Sequence, residues 1–422
     1  MESSFYSGNR ARLWDMLKPS SAAVFFSGEE VRKTNDEMYP FFARRSFVYL
    51  TGITQKQSIL VGIRDQNGNV QERLYLLPSD LMAERWTGKR LTKQEATARS
   101  GVWDVRTLDQ FEKDFHTLAA AGHYSMKVAP IENLYLDVYR AETCDRDTPA
   151  HRFLARTREN YPYLNIENGD GLVRKLRLIK QPCEIEALRK AEEITGRGIC
   201  AMMRASRPGM YEYQYKAVFD KELGWFGPEQ HGFPPIISAG KNNFCIHYYS
   251  YTGQAQDGDM ILNDVGAQWD DLIVDVSRGW PCNGKFTDLQ AKLYTCALET
   301  SNHMFQTVAP GWKMADIDRE IRSFNAAQLV KAGILQDESQ IGQVMWHGGA
   351  HHIGFDVHDV VQTPEIIAPG MTFCIDVGIY HEESGIGFRL EDNLLVTENG
   401  CENLSAAIPR TIEDIERTMQ EK

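Results

Sequence analysis

The chain has little of what marks secreted, membrane-spanning or nucleic-acid-binding proteins. Its eight cysteines are scattered without a CxxC pair, which predicts free thiols in a reducing compartment. No run reaches the ~18 apolar residues of a membrane span, and the start shows no apolar leader. Its 46 Lys and Arg against 58 Asp and Glu give a net charge of −12, which argues against anionic partners. We therefore expect a cytoplasmic protein whose partners include neither nucleic acid nor membrane.

Length and hydrophobic pattern together predict two domains, because 422 residues are many for a single core. Residues 1–172 are typical of a small α/β domain, and residues 173–422 of an α+β domain with helices packed on an antiparallel sheet. Strand-like runs of the first domain lie at 22–28, 47–53, 57–63 and 72–78, and helical patterns at 10–17, 108–121 and 152–160. In the second domain, helices are predicted to begin near Pro182, Glu212, Asp288 and Asp316, and strands at 234–240, 244–250, 260–280, 371–380 and 388–396.

One stretch of the second domain, Met260–Trp280, predicts a hairpin with two buried acids. Two apolar strands flank the polar turn Gln268–Asp271, and each carries one aspartate, Asp264 or Asp275. A turn centred on the middle of that segment would place the aspartates opposite each other, where like charges repel. A cation between them would remove both the repulsion and the cost of burying unpaired carboxylates. Alternatively, one aspartate faces solvent or pairs with an arginine such as Arg278.

Three further polar features lie where the apolar pattern predicts burial. Four of the eleven histidines fall in the glycine-rich segment HGGAHHIGFDVHD. They are His347, His351, His352 and His358. A single buried histidine is usually a core residue, so it is the clustering that indicates a site. Asp376 interrupts the apolar run FCIDVGIY, and alternation in GFRLEDNLLV places Arg389 and Glu391 on one face. Those two residues could equally form a structural ion pair.

Together these residues favour a metal site. The set contains four carboxylates and one imidazole: Asp264, Asp275, His351, Asp376 and Glu391. Arg389 alone cannot neutralise four buried carboxylates, whereas two divalent cations would balance their charge. An oxygen-rich site with one imidazole favours Mn²⁺, Co²⁺, Fe²⁺ or Zn²⁺ over Ca²⁺ or a thiolate-bound metal. Two such ions about 3.5–4 Å apart lower the pKa of a shared water and so serve hydrolysis near neutral pH.

The order of these motifs resembles the pita-bread metallopeptidases. An aspartate, a second aspartate eleven residues later, HGGAHHIGFDVHD, PGMTFCIDVGIY and GFRLEDNLLVT follow one another as in that family. Within it the chain is most similar to Xaa-Pro aminopeptidase (aminopeptidase P), with the Xaa-Pro dipeptidases, or prolidases, second. The run SGEEVRKTNDEMYPFFARRSFVYLTGI is similar to the family's N-terminal domain, and IKQPCEIEALRKA to the start of its catalytic domain. The resemblance implies a pita-bread catalytic domain over 173–422, preceded by a creatinase/aminopeptidase P-like domain over 1–172.

The resemblance also implies a metal centre. The residues that match the family's ligands are Asp264, Asp275, His351, Asp376 and Glu391. Asp275 and Glu391 would bridge two divalent ions, with Mn²⁺ favoured and Co²⁺, Zn²⁺ and Fe²⁺ as alternatives. Asp264 would chelate the second ion, while His351 and Asp376 would complete the first.

Further positions match the family's catalytic and substrate-binding residues. His247 and His358 match histidines that hold the substrate carbonyl, and Asp376 matches the general base. His347 and Arg389 match substrate-orienting positions. Trp86, in ERWTGKRL, matches a tryptophan that family members insert into a neighbouring subunit's site, which implies a homodimer or homotetramer. Taken alone, this tryptophan could simply cap a local cluster.

Position 376 departs from the family pattern, which has a glutamate, usually followed by proline, where this chain has Asp376-Val377. Aspartate is one methylene shorter, so its carboxylate would fall back by roughly 1.5 Å, whereas ligand distances tolerate only ~0.2 Å. We hypothesise that the first metal site is weakened and that proton transfer is slower. His352 is a second, smaller departure, at a position where the family commonly has an aromatic or apolar residue.

The sequence thus predicts a metallo-exopeptidase that releases the N-terminal residue from peptides with proline in the second position. This bond needs a dedicated site because the proline nitrogen is a tertiary amide and the ring fixes φ. A prolidase limited to dipeptides is the nearest alternative. Two others are an inactive homologue that binds peptides or partners, which only Asp376 favours, and a non-metal hydrolase like creatinase.

Overall fold

The computed structural model describes residues 1–120, 130–227, 231–361 and 366–421. Its contacts divide the chain into two compact units, Met1–Leu176 and Arg177–Lys422. All eight cysteines carry free thiols, as their scattered spacing predicts. Within the described ranges, every helix is too short or too polar to cross a membrane.

The first unit is built on one six-stranded mixed sheet. Its strands are β1 (Ser21–Phe26), β2 (Ile59–Arg64), β3 (Val70–Leu76), β4 (Val105–Thr107), β5 (Asn133–Leu136) and β6 (Asn165–Asn168). They lie in the order β4-β3-β2-β1-β5-β6, and β1 pairs antiparallel with β2 but parallel with β5. Because β1 is central, all of its residues are buried.

Helices cover both faces of this sheet. The helices of the unit are α1 (Ser3–Asp15), α2 (Arg45–Thr51), α3 (Leu81–Thr87), α4 (Lys93–Ser100), α5 (Phe111–Ala119), α6 (Pro149–Asn160) and, at the unit boundary, α7 (Asp170–Arg177). Trp14 of α1 packs on one face, beside Phe25. On the other face, Phe26 packs against Phe111 of α5 and Phe153 of α6. The sheet with helices on both faces confirms the α/β architecture that was predicted for this region. Residue 121, the end of the predicted helix at 108–121, lies outside the described residues.

The strand predicted at 47–53 is wrong, because residues 47–51 belong to helix α2 and the helix ends at Gly52. All seven residues of the helix are buried, and an apolar run that is buried on every side carries no period to separate helix from strand. Thr51 Oγ1 donates to the Phe47 carbonyl at 2.8 Å, and Gly52, at φ 66°, ends the helix in the left-handed conformation that glycine readily adopts.

The second unit packs helices on antiparallel strands, which confirms the predicted α+β class. Its helices are α8 (Pro182–Ala205), α9 (Glu212–Phe226), α10 (Asp288–Thr307), α11 (Met314–Lys331) and α12 (Ile412–Gln420). Its strands are β7 (Ile236–Ala239), β8 (Met260–Val265), β9 (Gln268–Trp269), β10 (Leu272–Ile273), β11 (Val276–Pro281), β12 (Thr372–His381), β13 (Ile386–Val396) and β14 (Cys401–Asn403). Two three-stranded sheets, β11-β8-β7 and β12-β13-β14, form its centre, and β13 packs against both β8 and β11.

The predicted hairpin of β8 and β11 forms, but its turn lies one residue later than expected. Asp270 and Asp271 make the turn, with φ of 50° and 71°. Asp264 therefore lies opposite Ser277 and not opposite Asp275. Since opposite residues and residues two apart share one face of a sheet, Asp264 and Asp275 remain diagonal neighbours on the same face.

The facing pair of acids that was expected in this hairpin occurs in the next one. Asp376 of β12 lies directly opposite Glu391 of β13. A strand predicted at 244–250 is absent from the described chain, where a 3-10 turn, Gly240–Phe244, leads into irregular backbone. Asn243 holds that segment by donating its side-chain amide to the carbonyls of Met260 and Gly387, each at 2.8 Å. The position of the following residues is thus fixed by a side chain and not by a strand ladder.

Candidate metal centre

The two hairpins of the second unit bring four carboxylates to one cavity. Asp264 lies on β8, Asp275 just before β11, Asp376 on β12 and Glu391 on β13. Oxygens of Asp264, Asp275 and Glu391 lie within 4.8 Å of one another. All four residues line a cavity of about 510 Å³ and are, as whole residues, at most 8% exposed. A group of like charges this dense and this buried requires positive charge to be stable.

The predicted histidines line the same cavity. It is bordered by His247, His347, His351, His358 and Arg389. The rings of His351 and His358 meet edge to face with centroids 4.3 Å apart. Trp86 belongs to the first unit, where it is 86% exposed on helix α3. All other predicted site residues therefore converge on one cavity of the second unit.

Burial and the repulsion of neighbouring carboxylates shift the pKa values of Asp275 and Asp376 upward. Burial, together with the charges of Glu391 and Asp264, raises the pKa of Asp275 well above its ordinary value. Burial also raises the pKa of Asp376 to about 7, with His347 opposing and Glu391 reinforcing the shift. Without a further cation, part of the cluster would hold protons near neutral pH.

Arg389 is the one arginine among the described residues that line the cavity, and it neutralises one of these acids. Arg389 donates from Nη2 to Asp264 Oδ2 at 2.6 Å and from Nη1 to the Tyr380 hydroxyl at 3.0 Å. It thus pairs with Asp264 and not with Glu391, so the alternative of an Arg389–Glu391 ion pair is wrong. Arg278 pairs instead with Asp392, through a contact of 2.6 Å.

The free atoms of the cluster fit divalent metal ions. Among the described residues, each of the four acids keeps one buried oxygen without a hydrogen-bond partner: Asp264 Oδ1, Asp275 Oδ1, Asp376 Oδ1 and Glu391 Oε1. His351 Nδ1 lies 3.1 Å from the carbonyl of residue 352, which directs Nε2 toward Asp275 and Glu391 at 3.5 and 3.6 Å. A hydrogen bond of this kind fixes the imidazole tautomer for metal binding. The donor set is therefore that of an oxygen-rich metal centre with one imidazole.

Asp376 is displaced from the other donors. One of its oxygens lies 3.3 Å from His347 Nδ1. In the described chain it belongs to neither of the two groups of mutually close donors, which are Asp264–Asp275–Glu391 and His351–Cys374–Glu391. The predicted first metal site, which His351 and Asp376 were expected to complete, is thus looser than the second site at Asp264, Asp275 and Glu391.

Three residues that lie against the cavity's side chains were missed from the sequence. Ser277 Oγ donates to Glu391 Oε2 at 2.9 Å, and the Tyr380 hydroxyl lies 2.9 Å from His347 Nε2 and 3.0 Å from Arg389 Nη1. Cys374 belongs to the donor group that contains His351 and Glu391. Strand alternation could have found all three, because each lies two or four residues from a predicted acid.

Side chains behind the cavity hold the backbone of the two central acids. Arg278 Nη1 donates to the Glu391 carbonyl at 2.7 Å, and Asn393 Nδ2 donates to the Asp275 carbonyl at 2.8 Å. Both side chains are completely buried. A ligand strand held in this way keeps its carboxylate in place before a metal ion arrives.

Comparisons with known proteins agree with this geometry. A profile of metallopeptidase family M24 matches residues 186–398, and one of the aminopeptidase P N-terminal domain matches residues 6–126. The Xaa-Pro aminopeptidase of Escherichia coli K12 is 30% identical over 97% of this chain and 96% of its own length. That of Haemophilus influenzae is 28% identical over the same shares.

Solved structures show the same relationship. Escherichia coli aminopeptidase P with the inhibitor Pro-Leu aligns with a TM-score of 0.89 at 28% identity, covering 99% of this chain and 98% of the other. A candidate aminopeptidase P from Bacillus anthracis aligns with a TM-score of 0.96 at 33% identity, covering 100% and 99%. The expected pita-bread fold is confirmed. The chain belongs to metallopeptidase family M24, as a member of the aminopeptidase P family.

Proposed function

We propose that this metallo-exopeptidase releases the N-terminal residue from peptides with proline in the second position. One observation carries the proposal: four buried carboxylates, each with an unpartnered oxygen, share a cavity with histidines. The full-length relatives that are named Xaa-Pro aminopeptidases point to the same reaction. Hydrolysis would then take place in the second unit, which contains the cavity. The boundary between domains at 172 and 173 stays a prediction.

We assign the metal ligands to five residues: Asp264, Asp275, His351, Asp376 and Glu391. Two divalent ions held by them would supply the charge that activates a water molecule and polarises the scissile carbonyl. The oxygen-rich set favours Mn²⁺, with Co²⁺, Zn²⁺ and Fe²⁺ as alternatives. A zinc-substituted form of Escherichia coli aminopeptidase P is among the matching structures, so that relative accepts more than one metal.

The remaining cavity residues bind and orient the peptide. His247 and His358 lie on the exposed side of the cavity, where their N–H groups can donate to the substrate carbonyl oxygen as negative charge develops there. Asp376, whose position matches the family's general base, accepts the proton from the attacking water. Arg389 and His347, which are joined through the Tyr380 hydroxyl, orient the substrate.

Trp86 supports a further proposal about assembly. Trp86 on α3 is 86% exposed and leaves a large apolar surface in water. None of the residues of α3 is buried. We propose a homodimer or homotetramer in which this residue contacts a second copy of the chain. Analytical ultracentrifugation of Trp86→Ala against the wild type tests this, because an unchanged oligomer would remove Trp86 from the interface.

The test of the reaction is hydrolysis by metal-stripped protein, with and without added Mn²⁺. Xaa-Pro-Yaa tripeptides and Xaa-Pro dipeptides are offered in parallel, and Xaa-Ala-Yaa tripeptides serve as controls. Metal-dependent release of Xaa from the proline tripeptides is the expected result. Cleavage confined to dipeptides would make the protein a prolidase, and no cleavage by folded protein with any divalent ion would overturn the proposal.

A further inference from the structure

A thiol lies inside the donor cluster of the cavity. Cys374 is fully buried on β12, two residues before Asp376 and on the same face of the strand. Its Sγ lies within 4.8 Å of a His351 nitrogen and of a Glu391 oxygen, which themselves lie within 4.8 Å of each other. Imidazole, thiolate and carboxylate are all metal-ligating groups, and three protein ligands at this spacing suffice for a catalytic ion.

The thiol is better placed than the neighbouring aspartate. Asp376 lies 3.3 Å from His347 Nδ1 and, in the part of the chain that the structure describes, belongs to no group of mutually close donors. Cys374 has the close approach to His351 and Glu391 that Asp376 lacks. The aspartate, which is shorter than the family's glutamate, thus lies beside a thiol that is closer to His351 and Glu391.

We propose that Cys374 Sγ binds one of the two metal ions, together with His351 and Glu391. The proposal rests on the metal site of the proposed function and adds a ligand to it. On binding, the Cys374 Sγ–H bond breaks, the proton leaves to solvent and the sulfur forms a bond to the ion. No oxidation or reduction takes place.

A sulfur ligand makes the two metal positions chemically different. The position at His351 and Glu391 gains a sulfur donor from Cys374 beside its nitrogen and oxygen donors, which favours Zn²⁺ or Co²⁺ over Mn²⁺ there. The position at Asp264, Asp275 and Glu391 has oxygen donors alone and keeps its preference for Mn²⁺. The thiol thus directs a softer ion to one position, so that zinc and manganese can occupy the site together.

The alternative is that Cys374 is a packing residue. Its Sγ lies 3.4 Å from the backbone N–H of His351, which donates to it, and its own N–H donates to the His351 carbonyl at 2.9 Å. These contacts fix the thiol in the cluster whether or not it binds an ion. Spectroscopy of the bound metal separates the two cases, because a packing residue forms no bond to it.

The test is reconstitution of the metal-free full chain with Co²⁺, followed by absorption spectroscopy and metal analysis. A bond between sulfur and cobalt gives a charge-transfer band in the near ultraviolet, which oxygen and nitrogen ligands do not give. Wild type is compared with Cys374→Ser, which keeps the size of the side chain. Cys245→Ser controls for an exposed thiol near the cavity, and Cys296→Ser for a buried thiol on α10.

We expect the band in wild type and in both control variants, and its loss in Cys374→Ser. The affinity for one of the two ions should fall by about tenfold or more in that variant. Two bound Co²⁺ ions without a band, or a band lost in Cys245→Ser instead, would overturn the thiol ligand and leave the proposed function intact. Failure of the wild type to bind any metal would overturn both.

A second measurement does not depend on the variant folding. X-ray absorption of the wild-type protein carrying zinc counts the sulfur neighbours of the metal directly. One Zn–S distance of about 2.3 Å would support the proposal, because zinc–thiolate bonds have that length. A shell of nitrogen and oxygen alone would contradict it.

Discussion

Two buried aspartates of the second unit, Asp359 and Asp376, have opposite electrostatic surroundings. Asp359 binds Arg177 and Lys180, with Lys180 Nζ 2.9 Å from its Oδ2. Burial alone would raise its pKa, but these two cations lower it to about 2. Asp376 is also buried, but its neighbours include other acids. Its pKa rises to about 7, chiefly through burial.

The comparison separates a structural ion cluster from a functional one. Around Asp359 the protein supplies the positive charge itself, so the cluster is complete. Around Asp376 it supplies one arginine, which binds Asp264, and leaves buried oxygens without partners. Burial of charge without internal compensation indicates a site that is completed by a ligand.

The largest effect is expected from Asp275→Asn, which removes a central acid of the cavity without changing its size. Hydrolysis should fall about 1000-fold in kcat/KM, at the upper end of losses seen when a charge-stabilising contact is removed. The free energy of unfolding of the metal-free protein should be unchanged or higher, because one of the repelling charges is gone. Activity near the wild-type value would contradict the assignment, and denaturant unfolding provides the control.

The same substitution in the other cluster should act on stability. Asp359→Asn leaves two buried cations, Arg177 and Lys180, without their shared carboxylate. We expect the free energy of unfolding to fall by about 3 kcal/mol, the cost of breaking a buried ion pair. Urea titration of the metal-free protein measures it. A loss below that of an ordinary surface substitution would show that Asp356, which also binds Arg177, is sufficient.

Metal addition should distinguish the clusters next. A ligand at 100 times its dissociation constant stabilises the native state by about 2.7 kcal/mol. Wild type and Asp359→Asn should both gain this amount on addition of Mn²⁺ or Zn²⁺, and Asp275→Asn should gain clearly less. Thermal unfolding with and without metal gives the comparison. Equal stabilisation of all three proteins would place the metal outside the cavity.

The smallest effect is a pH dependence. The pKa of Asp359 is lower when folded than its ordinary 3.8, so its stabilisation is complete above pH 3.8 and is lost as the pH falls through about 2. The stability difference between wild type and Asp359→Asn should therefore shrink by about 2 kcal/mol over that range. Asp376, with its raised pKa, titrates at higher pH and cancels in this difference. Urea midpoints of both proteins at several pH values measure the change.

Three acids of the cavity were predictable because each one interrupts an apolar run, and the fourth was predictable from strand alternation. Asp264, Asp275 and Asp376 stand out among apolar neighbours, whereas alternation places Glu391 on one face with Arg389. All four acids reach the same cavity. The histidine segment was predictable from its clustering. Strand alternation then fixes which face a side chain takes, without long-range information.

The register of the first hairpin could not be predicted. Its turn is made by Asp270 and Asp271, both at positive φ, where hairpins usually carry Asn-Gly or Asp-Gly. Without a glycine, the sequence QWDD does not indicate the centre of the turn. The shift of one residue decides that Asp264 faces Ser277.

Contacts between segments that are distant in the sequence could not be predicted either. The pairing of Arg389 with Asp264 joins two different hairpins, and so does the hydrogen bond from Arg278 to the Glu391 carbonyl. Nothing in the sequence around either arginine selects its partner. The placement of Asp376 beside His347 depends on the same tertiary packing.

The distribution of the four acids over two hairpins has a consequence for folding. Each hairpin is local and can form within microseconds, but about 100 residues separate Asp275 from Asp376. Docking the hairpins must close that long loop and bring four acids together, so we expect it to be the slow step of assembly. The same repulsion pushes the hairpins apart when the metal-free protein opens. An ion bound between the two hairpins therefore lowers the rate at which they separate.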